Sequence, residues 1–214
     1  MWTSTFRVPS TQVELCRTLR NSGAITKNIE DVMNQVDRKI FVPPFYAERA
    51  YLDSPLPIGS GQTISAPHMH GSALGLIYDV MKTGAQPPEP IKFLDVGCGS
   101  GYFSALVAAA FPNADVYGVD CFAELVQQTK EHCTAVGGNV ARVDARLGDG
   151  WKGLPDDGPF DAIHVGAAAT SVPPALLKQL KVGGRLVVPV GEQGGMQQLL
   201  QVDRLRADTP GDAL

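Results

Sequence analysis

A glycine-rich turn at positions 97–101 has the residue types and spacing that most directly suggest chemistry. It follows the apolar run IKFLDV and precedes a helical pattern, so the sequence predicts a strand, a tight turn and a helix in succession. Glycines at such a turn let a ligand approach the backbone, and the first N–H groups of the helix can bind it. A dinucleotide site requires G-x-G-x-x-G, but here Gly97, Gly99 and Gly101 give G-x-G-x-G, and the sixth position is Tyr102. The last glycine of the dinucleotide motif is therefore missing, which disfavours a nicotinamide-dependent oxidoreductase.

Three acidic residues stand at the ends of three successive predicted strands. Asp95 precedes the glycine turn, Asp120 follows the next strand, and Asp149 follows the third. Because the carboxyl ends of parallel strands meet at one edge of a sheet, these acids would form one rim of ligand contacts. Carboxylates there can accept hydrogen bonds from the amine or hydroxyl groups of a ligand. Each acid alone is more often part of a solvated turn, so the prediction depends on their combined order.

The glycine spacing, with Asp95 before it, resembles the first motif of the S-adenosylmethionine-dependent methyltransferases, whose cofactor has no pyrophosphate. For this cofactor, Asp95 could position the charged amino group through water or backbone contacts, Asp120 could accept both ribose hydroxyls, and Asp149 could accept the adenine amine. A more specific resemblance lies in the segment Asp53–His70, DSPLPIGSGQTISAPHMH. Nearly residue for residue, it is similar to the signature of the protein-L-isoaspartate (D-aspartate) O-methyltransferases. The resemblance covers most of the chain and includes Val36–Arg38 and residues 97–101, 148–150, 160–164, 183–186 and 189–191.

This resemblance implies a repair enzyme. The family moves the methyl group of S-adenosylmethionine to the α-carboxylate of L-isoaspartyl and D-aspartyl residues in damaged proteins and peptides, and it releases S-adenosylhomocysteine. The resemblance places the catalytic serine at Ser65. The residues that contact the cofactor in this family fall on Gln62, Thr63, Ile64, Ser65, His70, Ser100, Asp120, Cys121, Asp149 and Gly150. The predicted cofactor site also includes Asp95, Gly97, Gly99 and Gly101.

The role expected of Ser65 is to orient the substrate carboxylate. A carboxylate with a pKa of about 4 is already ionised at neutral pH, so this nucleophile needs no strong base. Orientation alone can lower the barrier by several kcal/mol, so Ser65 needs only to hydrogen-bond the carboxylate and aim it. From its position alone, Ser65 would more often be the N-cap of a helix starting at Pro67. His68 and His70 have no further ligands nearby, so no metal is expected, and His164, in an apolar strand, is interpreted as structural.

Composition narrows the class of protein. The 214 residues carry a net charge of −4 without a basic cluster, which disfavours nucleic acid as a partner. No apolar run approaches the roughly 20 residues that cross a bilayer, and the opening MWTSTFRVPS does not resemble a secretory signal. The four scattered cysteines are typical of reduced thiols. We therefore expect a cytoplasmic protein, without a membrane partner and monomeric.

Hydrophobic periodicity predicts one doubly wound α/β domain with a mostly parallel sheet, the Rossmann-like methyltransferase fold, and an N-terminal helical cap. Within the single domain 1–214, residues 1–90 would supply N-terminal helices and the active-site loop, 91–205 the cofactor-binding core, and 206–214 a polar tail. Helices are predicted in 10–36 with a break at 21–23, and over 67–83, 101–111, 123–137 and 173–181. Strands are predicted over 91–96, 115–119, 140–147, 160–165, 185–190 and 197–203, and residues 42–67 show no strong period.

Two rival functions share these features. One is a methyltransferase-like adaptor that binds isoaspartyl proteins without turnover, and the other is a methyltransferase for a small-molecule carboxylate. Family members usually continue beyond the position of Leu205 with another strand and a threonine that helps close the site, whereas this chain ends in a polar segment. We expect either a truncated sequence or other residues closing the pocket. Cys121 also stands where relatives often carry a more polar residue, which weakens a side-chain role there.

Overall fold

The computed structural model describes residues 8–84, 90–192 and 195–205. The predicted polar tail, 206–214, lies outside the described residues. Among the residues that are described, no helix is both long and apolar enough to span a bilayer.

The N-terminal part begins with two short helices, α1 (Gln12–Asn21) and α2 (Lys27–Met33). The side chain of Thr11 accepts a hydrogen bond from the backbone of Glu14 and starts α1. The predicted break between the helices is confirmed, since Gly23 adopts a positive φ of 80° after α1 ends. Two 3₁₀ turns, Arg38–Phe41 and Pro44–Arg49, follow, and after the hairpin described next comes the long helix α3 (Pro67–Gly84).

Residues 42–67 contain regular structure that their lack of a strong period did not predict. They contain an antiparallel hairpin of β1 (Leu56–Gly59) and β2 (Gln62–Ile64), in which Leu56 pairs with Ile64. The two residues of its turn, Ser60 and Gly61, both have positive φ, as a tight hairpin turn of type I′ requires. Leu56 and Ile58 point into the core while Pro57 and Gly59 alternate with them. A proline and a glycine at the exposed positions hide this alternation in the sequence.

The remainder of the chain forms a six-stranded sheet in the order β5-β4-β3-β6-β7-β8. All neighbouring strands are parallel except β7 and β8, which confirms the doubly wound, mostly parallel fold. The chain moves outward from β3 to β5 and then returns to the other side of β3, and a ligand cleft is expected at such a reversal. The elements are β3 (Lys92–Val96), α4 (Tyr102–Ala110), β4 (Asp115–Asp120), α5 (Ala123–Val136), β5 (Asp144–Leu147), β6 (Phe160–Val165), α6 (Pro174–Lys178), β7 (Leu180–Gly191) and β8 (Gln197–Asp203).

Three predicted boundaries are wrong. The strand predicted over 140–147 starts only at Asp144, because residues 140–142 form a 3₁₀ turn. The helix predicted over 173–181 ends at Lys178, and β7 begins at Leu180 rather than at Arg185. Two glycines at 183 and 184 interrupt the apolar run of β7, so its first half was not visible as a strand.

The central strands β3 and β6 are buried on both faces, as predicted, whereas the edge strand β8 is largely exposed. Alternate residues of β3 belong to two separate cores: Phe93 packs with residues of α1 to α5, and Leu94 packs with Leu176 of α6. This alternation follows from the two-residue period of a strand. It also aims Asp95 at the side of the sheet that α3 and α4 cover.

Candidate active site

Two adjoining cavities open where the hairpin meets the carboxyl ends of β3, β4 and β6. Both are open to solvent, and with that open space included the larger has a volume of about 880 Å³ and the smaller about 360 Å³. Ile58, Thr63, Gly97, Gly99 and Gly166 line both, so one ligand could extend from the first into the second. The site therefore lies at the reversal of the strand order, where open α/β sheets bind ligands.

The glycine turn adopts the backbone that its sequence predicted. Gly97, Gly99 and Gly101 have φ values of 75°, 57° and 88°, a region that side-chain-bearing residues avoid. Gly97 and Gly99 line the cavities, but Gly101 lines neither. A Cβ at Gly101 would lie 2.8 Å from Cγ2 of Thr129 in α5. The third glycine therefore lets the turn before α4 approach α5 closely, and its predicted contact with a ligand stays a prediction.

Asp120 joins the end of β4 to this turn. Its carboxylate accepts hydrogen bonds from the N–H of Gly99 at 2.9 Å and from the N–H of Phe122 at 3.1 Å. The side chain is buried and lines the larger cleft. Each carboxylate oxygen has a second lone pair, so Asp120 can still accept the two hydroxyls of a ribose. Cys121 beside it is an exposed free thiol that lines the same cleft.

Asp149, Gly150 and Trp151 form the far wall of the larger cleft. The Asp149 carboxylate accepts a hydrogen bond from the N–H of Trp151 at 3.0 Å, which fixes the turn after β5. A Cβ at Gly150 would lie 2.7 Å from Cγ1 of Val96, so this position needs a glycine for the wall to approach β3. A planar ring system can thus lie between this wall and the turn, with Asp149 as an acceptor at its edge.

The opposite wall is formed by the hairpin, which carries residues that the family resemblance assigned to cofactor binding and catalysis. Gln62 and Thr63 line the larger cleft, and Thr63, Ile64 and Ser65 line the smaller cavity. Ser65 is half-buried, and among the described residues its hydroxyl has no hydrogen-bond partner. The hydroxyl is therefore available to a ligand in the smaller cavity.

Ser65 does not cap α3, which corrects the alternative drawn from its position. Because α3 begins at Pro67, Ala66 holds the N-cap position. The N–H of His68 in the first turn donates instead to the carboxylate of Asp53 at 3.0 Å, and the His68 ring contacts the same carboxylate. A carboxylate 15 residues away thus serves as the cap.

Buried polar side chains hold the smaller cavity. Asp95 is only 1% exposed, and its two oxygens accept hydrogen bonds from the hydroxyl of Ser104 at 2.6 Å and from Nδ1 of His164 at 2.8 Å. The direct contacts of Asp95 are therefore these two side chains. His164, interpreted from the sequence as structural, lines the cavity together with Asp95, and so does Ser100.

His70 also lines the smaller cavity and is buried between the rings of Tyr102 and Phe103, at centroid distances of 5.1 and 5.9 Å. Burial, reinforced by the charge of Arg38, holds the pKa of His70 well below its ordinary value. The imidazole is therefore neutral at pH 7. Its Nδ1 is buried without a hydrogen-bond partner in the described part of the chain.

Arg38, whose role the sequence did not reveal, fixes the segment before the hairpin. It is fully buried, and its Nε and Nη2 donate to the carbonyls of Ala50 and Ser54 at 3.1 and 3.3 Å. Burial lowers the pKa of Arg38 to about 10, so the guanidinium stays charged at pH 7. Its carbon Cζ also lies 5.5 Å from the centre of the Tyr102 ring. The DR pair at positions 37–38 belongs to the family resemblance, and that was its sequence signal.

Comparison with known proteins identifies the family. The model of the protein-L-isoaspartate(D-aspartate) O-methyltransferase family matches residues 10–210. The chain belongs to this family. The family's enzyme from Ignicoccus hospitalis is 44% identical over 191 residues, which cover 88% of this chain and 86% of the relative. The wheat (Triticum aestivum) enzyme is 41% identical over 192 residues, with 87% and 79% covered.

A solved structure of a family member has the same fold as this chain. The crystal structure of a protein-L-isoaspartate O-methyltransferase from Plasmodium falciparum, in complex with S-adenosyl-L-homocysteine, matches with a TM-score of 0.80 and 28% identity, and 92% of each chain is covered. The resemblance carried by residues 53–70 and by the glycine turn is thereby confirmed as membership of the family. The roles of the individual site residues stay predictions.

Proposed function

We propose that this chain is a protein repair methyltransferase that moves the methyl group of S-adenosylmethionine to the α-carboxylate of L-isoaspartyl residues, and also to D-aspartyl residues. One observation carries the proposal: the hairpin and Ser65, which hold the first four residues of the family's specific run QTISAPHM, face the glycine turn across the adjoining cavities. Membership of the family supports the same reaction.

The two cavities suit S-adenosylmethionine, which supplies an activated methyl group when it is bound. Asp120 would accept the ribose hydroxyls and Asp149 the adenine amine, while Cys121 and Gly150 line the wall between them. Gly97, Gly99 and Ser100 would hold the amino-acid part near the start of α4, with Gln62, Thr63 and Ile64 opposite. His70 Nδ1, buried without a protein partner in the described residues, supports a polar ligand on this side.

Ser65 would act by orienting the substrate carboxylate. Its hydroxyl can donate one hydrogen bond to a carboxylate oxygen, and that oxygen needs no base because it is already ionised at neutral pH. His70 is suited to this neighbourhood because it is neutral: a cationic ring would repel the positive charge on the cofactor's sulfur. A substrate and cofactor that fill the smaller cavity together would exclude water from the reacting atoms.

The substrates would be isoaspartyl-containing proteins and peptides, met in the cytoplasm by a monomeric enzyme with no nucleic acid or membrane partner. The four free cysteines support a reducing compartment. The net charge of −4 supports the absence of a nucleic-acid partner.

The decisive experiment measures methyl transfer from labelled S-adenosylmethionine to a short isoaspartyl peptide, with the same peptide containing normal aspartate as the control. Transfer to the isoaspartyl peptide alone is the expected result. Transfer to neither peptide, with the cofactor still bound, would refute the enzyme and favour the adaptor. Labelling of small carboxylic acids in preference to both peptides would favour the small-molecule methyltransferase.

A further inference from the structure

His164 and Asp95 form a connected pair at the end of the smaller cavity. They are register partners on the adjacent strands β6 and β3, and Nδ1 of His164 lies 2.8 Å from Oδ1 of Asp95. The hydroxyl of Ser104 on α4 donates to the other carboxylate oxygen at 2.6 Å. The ring of Phe103 lies 4.0 Å from that of His164, centroid to centroid, so the imidazole is fixed on its face as well as at its edge.

This arrangement determines what the free side of His164 offers. An ionised carboxylate only accepts hydrogen bonds, so Nδ1 of His164 carries the proton that it donates to Asp95. The second ring nitrogen, Nε2, has no hydrogen-bond partner among the described residues, and the side chain keeps 10% of its surface exposed. In the neutral ring this nitrogen is an acceptor, and His164 is one of the residues that line the cavity.

The charge of the smaller cavity comes from the same pair. Asp95 is the only aspartate, glutamate, lysine or arginine among the described residues that line it. Burial keeps the other titratable groups there uncharged, because it lowers the pKa of His70 and raises the pKa of the Cys98 thiol and of the Tyr102 phenol. A buried negative charge behind an acceptor nitrogen matches a ligand group that is positive and donates hydrogen bonds.

We propose that His164 is a positioning residue for the cofactor: Asp95 fixes its ring so that Nε2 accepts a hydrogen bond from the ammonium group of the cofactor's amino-acid tail. Asp95 supplies the countercharge through the ring. This inference rests on the proposed function, because it assumes that S-adenosylmethionine occupies the adjoining cavities. It deepens that function by adding His164, which the sequence analysis interpreted as structural, as the residue that links Asp95 to the ammonium group.

Binding calorimetry with four ligands tests the proposal without any need for turnover. The ligands are S-adenosylhomocysteine, its analogue without the amino group, its analogue without the carboxylate, and methylthioadenosine, which lacks the whole tail. The central variant is His164→Asn, whose amide can still donate to Asp95 but has no atom at the Nε2 position. The matched variant is His164→Gln, whose longer side chain can return an oxygen acceptor to that position.

His164→Asn should bind S-adenosylhomocysteine and the analogue without the carboxylate about 10- to 100-fold more weakly, the range for a hydrogen bond to a charged group. Methylthioadenosine, and the analogue that lacks only the amino group, should bind to this variant as tightly as they bind to the wild type. Their binding also shows that the variant is folded. His164→Gln should recover part of the loss, and Asp95→Asn should lose affinity for the same two ligands as His164→Asn.

Other results would overturn the assignment. An equal loss for ligands with and without the amino group would reduce His164 to a structural residue. A loss confined to ligands with a carboxylate would mean that Nε2 is a donor to that group. If the wild type methylates isoaspartyl peptide while all variants bind the four ligands alike, this inference fails and the proposed function stands. If the wild type does not bind S-adenosylhomocysteine, both fail.

Discussion

Replacing Asp120 with alanine would remove a side chain that serves both the fold and the proposed cofactor. In the structure its two oxygens hold the N–H groups of Gly99 and Phe122, at 2.9 and 3.1 Å, and the same carboxylate faces the larger cleft. The substitution therefore loosens the glycine turn and removes the acceptor proposed for the ribose. These two effects can be measured separately.

The magnitudes follow from the number and the burial of the hydrogen bonds. Both N–H groups are only partly buried and can regain water, so we expect Asp120→Ala to lower the free energy of unfolding by about 1–3 kcal/mol. Two hydroxyl groups that each lose a bond to a carboxylate, at about 1.5 kcal/mol each, would weaken cofactor binding by about 3 kcal/mol. That corresponds to a roughly 150-fold higher Kd for S-adenosylhomocysteine.

Calorimetry at a temperature well below the unfolding transition gives the binding term. S-adenosylhomocysteine and its 2′-deoxy analogue should differ about 10-fold in the wild type and hardly at all in Asp120→Ala, because the 2′-hydroxyl would then have lost its acceptor. Asp115→Ala is the matched control, since Asp115 is an exposed aspartate at the other end of β4. A folded Asp120→Ala protein that binds within threefold of the wild type would refute the ribose assignment.

Three further substitutions test the site and its supports. Ser65→Ala should lower kcat for an isoaspartyl peptide by about 10- to 100-fold and change the Kd of S-adenosylhomocysteine less than threefold, because one orienting hydrogen bond is lost; equal losses in both would contradict the orienting role. Gly101→Ala should lower the free energy of unfolding by about 2–4 kcal/mol, because the new Cβ would be strained by the positive φ and would also collide with Thr129. The control Gly138→Ala, which has a positive φ but open space around it, should lower it by only about 1–2 kcal/mol. Equal losses in denaturant titrations would exclude the collision. Arg38→Met should destabilise by about 2–4 kcal/mol in the same titrations, because two carbonyl groups lose their donor, and an unchanged midpoint would contradict this.

The parts of the site that were predictable from the sequence are those encoded within one strand and its following turn. The glycines at 97 and 99 and the acid at the end of β4 depend on a strand, a turn and a helix that are contiguous in sequence, and parallel pairing then brings them to one edge of the sheet. The placement of Gly97, Gly99, Asp120 and Asp149 around the cavities could therefore be anticipated from spacing.

The parts that were not predictable depend on pairings between distant segments. Asp95 and His164 are 69 residues apart and meet only because β3 and β6 pair in one register. The cap of α3 comes from Asp53, and no local rule selects it over Ser65. Gly101 was assigned to the ligand because it belongs to the glycine motif, whereas its neighbour Thr129 comes from α5, and that contact depends on how the helices pack.

The charges of the site also fit the proposed use of a neutral serine beside an anionic substrate. Asp95, Asp120 and Asp149 line the two cavities, and no lysine or arginine is among their described lining residues. Two like charges 4 Å apart repel by about 4 kcal/mol at an effective dielectric constant of about 20, so these walls disfavour a carboxylate by themselves. In the proposed reaction the positive charge that attracts the substrate is therefore the cofactor's, and it sits at the atom from which the methyl group leaves.

A lysine or arginine in place of Ser65 would bind the carboxylate more strongly, but it would also repel the cofactor and hold the substrate oxygen away from the methyl group. A hydroxyl would orient the oxygen without competing for its charge. In the proposed arrangement, the buried Asp95 and His164 pair would place its negative charge on the amino-acid side of the cofactor, where it would not oppose the approach of the substrate.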